Sequence, residues 1–88
     1  MHLPLSRSEK LVKRFIEVPK DFTWEEFINV IAYFGFKELK TGKTGGSRRK
    51  FVDDEKHIIS LHKPHPRNIV KRYAIEETIV ILKKLHRL

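Results

Sequence analysis

At Gly35 the chain changes period, and that change restricts it to an architecture mixing helix and sheet. Before it, Phe27, Ile28, Ile31 and Phe34 recur at helical spacing, with Trp24 and residues 30–33 broadening the apolar stripe. Thr23 followed by Glu26 is a capping box, and Phe22 and Phe27 occupy the two positions of a hydrophobic staple. Gly35 then supplies the left-handed residue that closes such helices, so a helix is predicted over 23–34. After it, the pattern predicts short strands at 36–40, 47–52 and 57–62, with a glycine loop at 41–46 and an acidic turn at 53–56.

Two further helices flank this core. Residues 6–17 form a short helix with Ser8 as candidate N-cap and Leu11, Val12, Phe15 and Ile16 as its stripe; Val18-Pro19 ends it, because a residue before proline is pushed out of the α region. It is an extra arm or an oligomer contact. Lys63-Pro64-His65-Pro66 excludes helix and central strand. An extended or irregular stretch over 69–73 follows, and a last helix begins near Ile75, with Ile75, Ile79, Leu82 and Leu85 on one face. Glu76 and Glu77 fall in its first turn and Lys83 and Lys84 near its end, as the helix dipole favours. The order α-α-β-β-β-α predicts an α+β fold, a three-stranded antiparallel sheet with helices packed on one face. The 88 residues make one domain, with 1–21 as an N-terminal extension and 22–88 as the α-β-β-β-α core.

The hairpin register follows from burial. Pairing Phe51 with Ile59 places Arg49 beside Leu61 on the inner face, and sets Arg48 opposite His62 and Lys50 opposite Ser60 on the outer face. A one-residue slip would bury Lys50 against Ile59. Arg49 then reaches past the sheet edge, and Ile58 is left partly exposed.

Charge locates the functional face. Residues 1–35 are balanced, with five cations and five anions, whereas residues 36–72 carry eleven cations against four anions, +7 of the total +8. Lys43, Arg48, Arg49, Lys50, Lys63, Arg67, Lys71 and Arg72 come from segments that the fold brings together, the footprint of a nucleic-acid binder. Ser47 and His65 lie within the same segments. Gly42-Lys43-Thr44 is not a P-loop: position 37 is lysine where that motif needs glycine, and a strand follows where it needs a helix. His62 and His65 lack a third ligand at a recognisable spacing, so no metal is expected, and no cofactor is implied. With no cysteine, no membrane-length apolar run and no apolar leader, a soluble cytoplasmic protein is expected.

Gly35-Phe36, then Gly46-Ser47 opening a strand, then Ile59-Ser60-Leu61-His62 before a turn and a final helix resemble the HicA toxin family over residues 22–86. The resemblance implies a double-stranded-RNA-binding-like fold, cleavage of mRNA, and neutralisation by a HicB-type antitoxin. The family places a catalytic histidine directly after Gly-Ser; here that position is Arg48, while His62 matches the family's second histidine. Histidine titrates near 6.5 and suits metal-free removal of a 2′-OH proton, whereas arginine stays protonated and can only stabilise charge. The candidate catalytic residues are therefore His62, with Arg48 beside it, and His65 as the alternative base. The competing readings are an RNA-binding module that does not cleave and a protein-interaction domain for an acidic partner.

Overall fold

The computed structural model describes residues 5–40 and 48–88. Three helices, α1 (Arg7–Ile16), α2 (Trp24–Tyr33) and α3 (Arg72–Lys84), accompany three strands, β1 (Lys37–Glu38), β2 (Arg48–Val52) and β3 (Ile58–His62). The strands form one antiparallel sheet in the order β1-β2-β3. This is the expected α+β order, α-α-β-β-β-α, and matches a double-stranded-RNA-binding-like arrangement. No helix among the described residues is long and apolar enough to cross a membrane.

α2 is set by its ends. The Glu26 amide donates to Thr23 Oγ1 at 3.1 Å and the Thr23 amide to Glu26 Oε1 at 2.9 Å, completing the capping box. At the other end Gly35 takes φ +92°, the Gly35 amide bonds the Ala32 carbonyl and the Phe36 amide the Ile31 carbonyl. That Schellman pair turns the chain directly into β1. β1 is shorter than the expected 36–40 segment, although the Leu39 amide adds one more ladder bond to the Lys50 carbonyl at 2.8 Å.

Aromatic rings make the core. Trp24 and Phe27 of α2 lie 5.8 and 6.1 Å from Phe51 of β2, ring centre to ring centre, while Phe15 of α1 sits 5.6 Å from Phe22 and 6.1 Å from Phe27. Phe36, just ahead of β1, joins it with Ile59 of β3 and Ile75 and Leu82 of α3. α1 is thus built into the common core, and Arg14 ties it to Asp21 and Glu26 at 2.5 and 3.0 Å.

Three local expectations are corrected. The N-cap of α1 is Ser6, not Ser8: Ser6 and Glu9 form a second capping box, and Ser8 lies inside the first turn. Ile16 does not join the buried stripe, because Phe15 faces α2 and Ile16, one step further round the helix, stays exposed. α3 begins at Arg72 rather than Ile75, which moves Glu76 and Glu77 out of its first turn. Its start carries no sequence signal, since Lys71 at the N-cap makes no side-chain bond and the first two helical residues are exposed.

Two places anchor the chain around α3. Thr23 and Ile69 form an isolated antiparallel bridge, with the Trp24 amide bonded to the Asn68 carbonyl at 3.0 Å and the Val70 amide to the Phe22 carbonyl at 2.8 Å. Val18 leaves the α region as expected before proline, but into the left-handed region at φ +52°, an unfavourable place for a β-branched residue. Its carbonyl accepts from Arg72 Nε at 3.1 Å, a bond that helps hold the turn.

Candidate nucleic-acid interface

The strand pairing is the one that burial dictates: Phe51 with Ile59, Arg49 with Leu61, Lys50 with Ser60 and Arg48 with His62. Phe51, Ile59 and Leu61 are buried under the helices, while Arg48, Lys50, Ser60 and His62 stand exposed on the opposite face. Ile58 is half exposed there, as its register position requires. Arg49 is on the inner side, where it reaches the sheet rim and meets Glu38 at 3.5 Å.

Arg48 Nη1 donates to Ser60 Oγ at 2.7 Å. The bond runs diagonally across the ladder and fixes the guanidinium along the outer face. Arg48 and His62 then open a groove of about 420 Å³ between β3, the Pro64–Pro66 segment and the start of α3. Lys63, His65 and Lys71 line it from the far side, with Tyr73 and Glu77 one helical turn apart on α3. Glu77 is the single carboxylate among its described lining residues.

The predicted residues therefore divide. Arg48, His62, Lys63, His65 and Lys71 share the groove; Lys50 lies on the same sheet face but outside the groove lining. Arg72 lines an adjoining recess and is tied to Val18. Lys43 and Ser47, with the 41–46 loop, lie outside the described residues. Ser60, Tyr73 and Glu77 were not singled out from sequence. The Tyr73–Glu77 pair becomes legible only once α3 is known to start at Arg72, since i and i+4 then share a face.

Chemically, the groove brings together two histidines, whose side chains can give or take a proton, a permanently charged guanidinium at the strand position paired with His62, and two lysine ammonium groups.

A different polar cluster sits at the other end of the hairpin. Asp53 is buried; its Oδ1 accepts the Glu55 and His57 amides at 3.0 and 2.7 Å, and its Oδ2 meets His57 Nδ1 at 2.8 Å and Arg87 Nη2 at 2.6 Å. Burial pushes its carboxyl up, but the His57 and Arg87 hydrogen bonds outweigh that and hold it down at about 2. Asp53, Glu55 and His57 offer atoms within 4.8 Å of one another, a spacing a cation could use. Arg87 already fills that role, also donating to Glu55 at 3.2 Å and to the Phe34 carbonyl at 2.9 Å. The cluster closes the turn onto the end of the chain, and its residues do not line the groove.

Comparison with known families matches residues 24–85 to the model described as HicA toxin of bacterial toxin-antitoxin. No curated protein and no solved structure matches the chain.

Proposed function

The chain belongs to the HicA toxin family of bacterial toxin–antitoxin systems, and on that premise we propose that it is a metal-independent endoribonuclease that cleaves mRNA and is neutralised by a HicB-type antitoxin. The observation that carries this reading is the pairing of Arg48 with His62 at the mouth of the cationic groove. His62 takes the proton from a 2′-OH, whose oxygen attacks the adjacent phosphorus. Arg48, held by Ser60, stabilises the charge gathering on the phosphorane oxygens. His65 lines the same groove and returns a proton to the departing 5′-oxygen, leaving a cyclic phosphate and a 5′-hydroxyl. Lys63 and Lys71 hold flanking phosphates, with Lys43, Ser47, Arg49, Lys50 and Arg72 as further contacts along the strand. The antitoxin works by covering this face, and the toxin acts in the cytoplasm, where mRNA is. The whole chain, 1–88, serves as one domain.

The test is induced expression with and without the antitoxin, together with incubation of purified protein and mRNA in EDTA. Growth arrest and cleavage that survive EDTA, and disappear on His62→Ala, are expected. Intact RNA at high protein concentration and no growth defect would overturn the reading.

A second reading has its own support in Arg48, which occupies the position where the family has a histidine and cannot act as a base. In that reading the protein binds RNA without cutting it. RNA that stays whole with the native protein but is cut by Arg48→His would select it.

A further inference from the structure

Beside the groove lies an open recess of about 710 Å³. The two are continuous: Pro64, His65, Val70, Lys71 and Tyr73 line both. Tyr73 is 58% exposed at this shared wall, so much of its side chain is open to solvent beside the groove that His62 lines. The recess rim is strongly cationic. Among its described lining residues, Lys20, Arg67, Lys71 and Arg72 stand against a single carboxylate, Asp21, which is bonded to Arg14 at 2.5 Å. Lys20 and Asp21 come from the turn after α1, ahead of residue 24 where the family match begins, so the extension supplies one wall.

We propose that this recess is a second nucleotide subsite, in which Tyr73 stacks a base of single-stranded RNA while Lys20, Arg67 and Lys71 hold its phosphates. The proposal rests on the RNA-binding reading of the groove. An open aromatic face beside a cationic track is what sequence-tolerant binding of single strands requires, since every base presents a flat face to stack. The groove holds the phosphate to be attacked; the recess holds the neighbouring nucleotide and sets the register of the strand.

The test is fluorescence anisotropy of the full chain with a labelled, 2′-O-methylated single-stranded RNA of about eight nucleotides, which the protein cannot cleave. Tyr73→Ala should weaken binding roughly tenfold, whereas Tyr73→Phe, which keeps the ring, should stay within about twofold of the native protein. Lys20→Ala should weaken binding and flatten its salt dependence. An RNA with one abasic position should bind the native protein more weakly at some position and lose nothing further with Tyr73→Ala. Unchanged melting temperatures establish that the variants fold. If Arg48→Ala weakens binding and Tyr73→Ala and Lys20→Ala do not, the groove still binds RNA and the subsite is wrong. If the native protein binds no RNA, the subsite and the function above fall together. If Tyr73→Ala spares RNA affinity but abolishes binding of the antitoxin, the recess is a protein contact and the subsite is wrong.

Discussion

Arg48 reaches diagonally across the hairpin to the Ser60 hydroxyl at 2.7 Å, although its directly paired neighbour is His62. The bond commits one guanidinium nitrogen to the sheet and thereby orients the rest. In the proposed chemistry, His62→Ala should lower single-turnover cleavage in EDTA by about 10²- to 10⁴-fold, the range for a lost general base. Arg48→Ala lowers it by about 10²-fold through the lost charge stabilisation. Ser60→Ala leaves the charge but frees its direction, so its loss is smaller and falls on the rate rather than on RNA affinity.

Binding at this face should be measurable apart from cleavage. Each phosphate contact removed lowers the slope of log affinity against log salt by roughly 0.7 on a single strand. Lys63→Ala and Lys71→Ala are each expected to show that reduction in a titration across salt concentrations. Lys71→Ala should leave the start of α3 in place, because its side chain makes no capping bond there.

Asp53 predicts how the fold responds to acid. Its carboxyl is held at about 2 against an ordinary 3.8. A lowered folded-state value means stability that is present above about 3.8 and lost as pH falls through about 2. Melting temperature should therefore drop between those limits, and Asp53→Asn should remove part of that drop while lowering stability at neutral pH. A variant whose acid profile parallels the native one would assign the loss to other carboxylates.

Phe15 tests whether the N-terminal extension is an appendage. It lies outside the residues matched to the family, yet it is fully buried against Phe22 and Phe27. Phe15→Ala should destabilise the whole domain by about 3–5 kcal/mol in a single cooperative denaturant transition. A loss confined to α1, with the remaining core unfolding as before, would make the extension a separate unit.

What could be read from sequence follows from where the physics is local. The hairpin register was legible because one alignment alone gathers Phe51, Ile59 and Leu61 on one face and leaves Arg48, Lys50 and His62 on the other. α2 was legible because its capping box and Gly35 mark both ends within a few residues. The α1 cap is equally local, since Ser6 and Glu9 have capping-box spacing, and Ser8 two residues on offers a competing hydroxyl. The start of α3 was hidden, because Arg72 and Tyr73 face solvent and extend no apolar stripe. That hid Tyr73 as a groove residue as well. The Asp53–Arg87 bond joins residues 34 apart, and no periodicity or motif connects them.

The bridge between Thr23 and Ile69 makes two distant events one. Its hydrogen bonds join the residues that start α2 to those that lead from the Pro64–Pro66 segment into α3. Lifting that segment away from the groove would break both bonds at once and free the Trp24 amide at the start of α2, while the Thr23–Glu26 capping box still holds the first turn. The amides of Trp24 and Val70 should therefore exchange with solvent as a pair. The groove wall and the start of α2 are thus joined through two backbone hydrogen bonds.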